Sequence, residues 1–155
     1  MKIFAENRKA YFNYEILEKF EAGLVLLGTE VKSIKSGRIN LAGSYVVFRG
    51  PTKGGHPELF LIGAKVPAYQ PKNAPADYNS ERPRKLLLNK KEINYLVGKA
   101  KERGLALIPL KVYEKGGKLK LEFGIGKGKK KFDKREKIKK RDIEREMKRE
   151  LGSRG

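Results

Sequence analysis

The chain has 155 residues, with 37 Lys/Arg against 18 Asp/Glu, a formal net charge of +19 and a pI near 10.1. That length suits one domain with an appendage, and so large a cationic excess points to an extended polyanion as partner, nucleic acid before an anionic membrane. The absence of cysteine excludes a disulfide framework and thiolate chemistry, and no apolar run approaches the ~20 residues of a membrane span.

The N-terminal residues 1–7 lack the apolar core of a signal peptide, so the cytoplasm is the expected compartment. Residues 9–20 place Ala10, Phe12, Tyr14 and Ile16 at period two, with Phe20 continuing the series, which predicts a half-buried strand. Glu21-Ala22-Gly23 is read as its break, with Glu21 exposed in a turn, and the apolar run 24–27 as a second strand closed by Gly28. Thr29 is then expected to cap a short helix, with Val31 and Ile34 on one face and Gly37 ending it. Residues 44–49 and 59–62 predict two further strands around a turn-rich segment holding His56, the only histidine, which is expected to be solvent-exposed. Residues 67–83 carry four prolines (67, 71, 75 and 83) and few aliphatics, and predict a long surface loop.

Asn89 at an N-cap, Glu92 at the capping-box position and Ile93, Leu96, Val97 and Ala100 at helical spacing predict the main helix, over 89–103 with Gly104 at its end. Residues 105–113 and 118–125 predict a hairpin around Lys115-Gly116-Gly117, with Pro109 forcing an edge or a bulge. Taken together, the fold expected is mainly β: a small closed OB-type barrel of about six strands with one main helix, over residues 1–126. Such a barrel does not by itself prove a function.

Residues 127–155 differ in kind. They hold 14 Lys/Arg and 6 Asp/Glu, +8 net, against 23 and 12 in the preceding 126 residues. This predicts a basic C-terminal tail, disordered when free. Ile143, Met147 and Leu151 lie four apart, and Glu136–Lys140 and Glu144–Lys148 are favourable i, i+4 pairs. The tail is therefore expected to become helical on binding. At its start, Phe132 stands among Lys127, Lys129, Lys130 and Lys131, an arrangement suited to stacking on a base.

Nothing in the sequence points to catalysis, a metal or a cofactor. One histidine and no cysteine cannot supply the three or four ligands of a transition-metal site, and the scattered carboxylates read as ion-pair partners. Cationic clusters at Arg8-Lys9 beside Tyr11, and at Arg82-Pro83-Arg84-Lys85, read either as plain solvated charge or as phosphate contacts on a barrel rim.

Several blocks in order then resemble one family: Asn7-Arg8-Lys9-Ala10, Phe20-Glu21-Ala22-Gly23-Leu24, Gly28-Thr29-Glu30-Val31-Lys32-Ser33, Arg84-Lys85-Leu86-Leu87-Leu88-Asn89, and Gly126-Lys127-Gly128-Lys129-Lys130 with Asp133-Lys134-Arg135. Along residues 6–150 the chain resembles the SsrA-binding protein (small protein B) family, partners of transfer-messenger RNA. The resemblance implies an OB-type barrel that binds the tRNA-like domain of that RNA. It also implies a tail that enters the decoding centre and empty messenger channel of a stalled ribosome, leading to rescue and nascent-chain tagging. By motif position it implies RNA contacts at Asn7, Glu21, Leu87, Lys120 and Gly128, to which the cationic clusters add Arg8, Lys9, Arg84, Lys85, Lys127, Lys129 and Lys130. Asp133, Lys134 and Arg135 match the family's tail motif, and Phe132, Lys139, Arg141 and Arg145 are expected to join them on the ribosome. Where many members carry histidine before that motif, Phe132 stands here, favouring stacking over any proton-linked role. The protein is expected to be a monomer when free and to have no membrane partner. The rival reading is a basic structural ribosomal protein.

Overall fold

The structure, a computed structural model, describes residues 1–50 and 57–129; residues 51–56, with His56, and 130–155 lie outside the described residues. Seven strands and three α-helices are described: β1 (Lys2–Glu6), α1 (Arg8–Asn13), β2 (Tyr14–Leu24), α2 (Gly28–Lys35), β3 (Tyr45–Arg49), β4 (Glu58–Ile62), β5 (Arg84–Leu87), α3 (Lys90–Ala100), β6 (Leu105–Lys115) and β7 (Lys118–Gly128). The strands are all antiparallel and run β1-β6-β3-β4-β5-β2-β7, and β7 pairs back onto β6 to close a ring. Six strands thus form the barrel and β1 is added beside β3 on the free edge of β6.

Inward residues from every wall fill the barrel. Val46, Leu59, Leu61, Leu86, Leu107, Val112, Leu121, Phe123 and Ile125 form one core with Ile34 of α2 and Leu96 of α3. Phe20 stacks on Phe123 at 5.7 Å and meets Tyr95 of α3 at 6.0 Å, which docks the main helix against the barrel. Asn89 caps that helix through its side chain, accepting from the Glu92 N–H at 2.8 Å. The helix stops at Ala100, one turn before Gly104.

Four expectations are corrected. Arg8–Asn13 is a helix rather than the start of a strand; Ala10 on it is buried against Ile108 and Leu110. Glu21-Ala22-Gly23 does not break a strand: β2 runs through all three, each paired with β7. The apolar run after it is not a separate strand, and the N-cap of α2 is Leu27, whose N–H donates to Glu30 Oε1 at 2.8 Å, with Thr29 already inside the helix. Lys2–Glu6 and Arg84–Leu87 are strands that the sequence reading left unassigned.

Two turns place the functional face. Gly116 and Gly117, at φ of 58° and 76°, make the two-residue turn that sets Lys115 opposite Lys118 and Tyr113 opposite Lys120. The register slips between Pro109 and Lys111, as a proline in a strand demands. Pro109 O at this bulge accepts from Asn7 Nδ2 at 3.0 Å, and Leu110 O from Asn7 N at 2.7 Å.

Candidate nucleic-acid interface

Period-two strands decide which side chains leave the barrel. On β5, Arg84 and Leu86 point in while Leu87 points out, 53% exposed. On β7, Leu119, Leu121 and Phe123 point in and Lys118, Lys120 and Glu122 point out. Gly23 of β2 is paired with both Leu87 and Lys120. A Cβ at position 23 would lie 3.3 Å from Leu87 Cβ, so glycine lets Leu87 lie over the strand. The result is an open groove of about 360 Å³ whose walls include Gly23, Leu24, Val31, Leu87, Lys118 and Lys120.

Glu21 stands beside this groove, on the outer face of β2-β7-β6. Its register partner is Glu122, a like charge directly opposite. Cations resolve the conflict: Lys19 and Lys111 each lie 3.7 Å from Glu122, and Lys115 Nζ lies 3.3 Å from Glu21 Oε2. The Tyr113 hydroxyl, from a nearly buried side chain, also donates to Glu21. That hydrogen bond first, then Lys115, holds the Glu21 carboxyl below the usual carboxylate range. Burial and the Glu21 carboxylate push the Tyr113 phenol above its ordinary value, so it stays a donor. Glu21 is thus a held carboxylate within a cationic lattice, rather than a free one in a turn.

Glu21's folded pKa is depressed, so its contribution is present above the unfolded value near ~4.3 and is lost as pH falls through the folded one. Replacing Tyr113 by Phe is expected to cost about 1 kcal/mol at neutral pH and to flatten this acid limb. Denaturant unfolding at a series of pH values below neutrality checks both.

The other expected RNA contacts fall elsewhere. Arg8 and Lys9 are exposed on α1. Lys127 and Gly128 end β7, paired with Glu15 and Tyr14, and Lys129 follows, its N–H donating to Asn13 O at 3.0 Å and its Nζ to Tyr11 O at 3.0 Å. This second cationic group lies about 23 Å from Lys120 along β7, at ~3.3 Å per residue. Lys85 points outward and pairs with Glu58 at 3.2 Å.

Two of the expected contacts are buried. Arg84 is 1% exposed, because strand alternation turns it inward with Leu86; it binds Glu30, Ala64 O and Ser80 O and offers nothing to a phosphate. Asn7 is nearly covered and its Nδ2 is spent on Pro109 O, so it secures the start of α1 to the bulge. Lys130, Phe132, Asp133, Lys134, Arg135, Lys139, Arg141 and Arg145 lie outside the described residues. Sequence reasoning missed Gly23, Tyr113, Lys115 and Lys118. The Gly116-Gly117 turn was the signal for the last three, because its register sets them beside Lys120.

Among the described residues no cluster of His, Asp and Glu could hold a metal ion, and no helix is long and apolar enough to cross a membrane.

The chain is similar to known proteins over nearly its whole length. Residues 4–153 match the family model described as SmpB protein. The SsrA-binding protein of Carboxydothermus hydrogenoformans is 49% identical over 153 residues, covering 99% of this chain and 98% of that one. That of Magnetococcus marinus is 51% identical over 152 residues, covering 97% and 95%. A solved structure described as "tmRNA-SmpB: a journey to the center of the bacterial ribosome" superposes with a TM-score of 0.64 at 41% identity, covering 82% of this chain and 85% of that one.

Proposed function

The chain belongs to the SmpB family of SsrA-binding proteins, and on that footing we propose that its groove binds the tRNA-like domain of transfer-messenger RNA. The protein is an RNA-binding component of trans-translation, working with that RNA on stalled ribosomes. The observation that carries the site assignment is the meeting of Gly23, Leu87 and Lys120, from three strands distant in sequence, at one groove, with Glu21 two residues before Gly23 on the same strand. Leu87 supplies an exposed apolar surface for an unstacked base. Lys118 and Lys120 supply phosphate contacts, and the Tyr113–Glu21–Lys115 cluster fixes the position of the Lys115 ammonium. Held in this way, Glu21 serves by positioning a lysine rather than by accepting from a base.

Lys127 and Lys129, the latter bonded to helix α1 that carries Arg8 and Lys9, form a second cationic region at the root of the tail. It is suited to lead the RNA-bound protein onto the ribosome, where residues 130–155 take the decoding centre and messenger channel. The barrel, whose last strand β7 runs to Gly128, and the tail beyond it thus divide RNA capture from ribosome engagement. The protein acts without catalysis of its own, in the cytoplasm, and is a monomer when free.

Salt separates the two kinds of contact. Lys118→Ala with Lys120→Ala is expected to reduce the slope of log K against log salt by about 1.4, at roughly 0.7 per phosphate contact. Leu87→Ala is expected to weaken binding by about 1–2 kcal/mol at every salt, with the slope unchanged. Titrations of a tRNA-like domain transcript at several ionic strengths measure both.

A further inference from the structure

A second cavity opens on another face of α2, between that helix and the long proline-containing loop; its walls include Thr29, Lys32, Tyr69, Asn73, Pro75 and Tyr78. The loop is held in shape there. Ser33 Oγ donates to Pro67 O at 2.7 Å, Tyr78 Oη to Val66 O at 2.7 Å, and Arg38 Nη1 to Tyr69 O at 3.1 Å. Tyr69 remains 36% exposed. Lys32 Nζ and the Arg38 guanidinium each lie 5.9 Å from its ring centroid. Among the described residues, neither cation has a carboxylate partner, and no acid lines the cavity.

Two cations sharing one aromatic ring repel each other. A ligand with a flat face and an attached negative charge relieves that repulsion and covers the apolar wall, and a nucleotide of RNA has both features. We infer that this cavity is a second RNA contact, taking one unpaired nucleotide with its base against Tyr69 and Pro75 and its phosphate on Lys32 and Arg38. The occupant is the same RNA that fills the first groove, an assignment that rests on the function proposed above. Helix α2 connects the two sites: Val31 and Lys35 face the groove, Thr29 and Lys32 the cavity. Lys32 and Lys35 both stand on the exposed side of α2, so a strand crossing the helix passes from one site to the other over cations.

Three variants of the full chain test this: Tyr69→Ala, Tyr69→Phe and the pair Lys32→Ala/Arg38→Ala. Each is titrated with a tRNA-like domain transcript across a salt series and, separately, with ribosomes lacking that RNA. Tyr69→Ala is expected to weaken transcript binding about tenfold, and Tyr69→Phe to restore it. The cation pair is expected to lower the salt slope by about 1.4. Unchanged transcript affinity and slope in variants that melt like the parent would overturn the inference, as would an effect confined to ribosomes. Leu87→Ala and Lys120→Ala run alongside. If they weaken binding while the Tyr69 and Lys32/Arg38 variants do not, only the second contact fails; the reverse leaves the cavity standing and removes the groove.

Discussion

Glu30→Ala is expected to lower the stability of the barrel by about 3–5 kcal/mol, a large share of the ~5–15 kcal/mol typical of a domain. Glu30 is fully buried at the first turn of α2. Its Oε1 accepts from Leu27 N at 2.8 Å and from Arg82, and its Oε2 from Arg84 Nε at 2.9 Å and Nη2 at 2.6 Å. Removing the carboxylate leaves the Arg84 guanidinium charged in the protein interior without its counter-ion, and that uncompensated charge is the main cost. Replacing both residues by methionine is expected to cost less than the sum of the two single replacements, because no charge is then stranded. Burial alone would raise the Glu30 carboxyl, but Arg82, the Leu27 N–H and Arg84 outweigh it, and its pKa is lowered. Its contribution is therefore complete above the unfolded value near ~4.3 and is lost as pH falls through the depressed folded one. Denaturant unfolding of the singles and the double variant, at neutral and acid pH, measures each part.

The second large effect concerns function rather than folding. Asp133→Ala with Arg135→Ala is expected to abolish ribosome rescue while leaving affinity for the tRNA-like domain near normal. The last strand ends at Gly128 with Lys129 after it, and the Asp133-Lys134-Arg135 motif begins after three further residues. A tail that served only as added charge would tolerate any order of its residues. Scrambling 137–151 at fixed composition keeps the charge but breaks the spacing of Ile143, Met147 and Leu151 and the pairs Glu136–Lys140 and Glu144–Lys148. Loss of rescue in the scrambled protein is the expected result, and full activity would reduce the tail to a polycation. Peptide-tagging assays on stalled ribosomes, paired with transcript titrations, separate the two functions.

The parts of the fold that read clearly from sequence are those where one physical signal dominates. Asn89 and Glu92 mark the start of α3 because an orphan N–H needs an acceptor, and the hairpin at Gly116-Gly117 follows from the positive φ that only such residues take easily. What stayed hidden was set by tertiary contacts. Alternation of Ala10, Phe12, Tyr14 and Ile16 mimics a strand, yet the packing of Ala10 on Ile108 and Leu110 coils residues 8–13 into a helix. β1 lies mostly at the surface and carries no clean apolar period; its pairing with β6 defines it. Arg84 and Lys85 look like one basic cluster, but a strand sends neighbours to opposite faces, and Glu30, distant in sequence, captures Arg84. The same distance in sequence concealed the role of Tyr113, whose partner Glu21 lies on another strand of the face.

If the barrel groove is the binding site, this chain selects a tRNA-like RNA through it. Sequencing the RNA that co-purifies with the native protein, and with a Leu87→Ala/Lys120→Ala variant of equal stability, tests it most directly. One dominant tRNA-like species, transfer-messenger RNA, is expected on the parent and depleted from the variant. Bulk ribosomal RNA alone on both, with the protein at fixed stoichiometry in a purified ribosomal subunit, would contradict it.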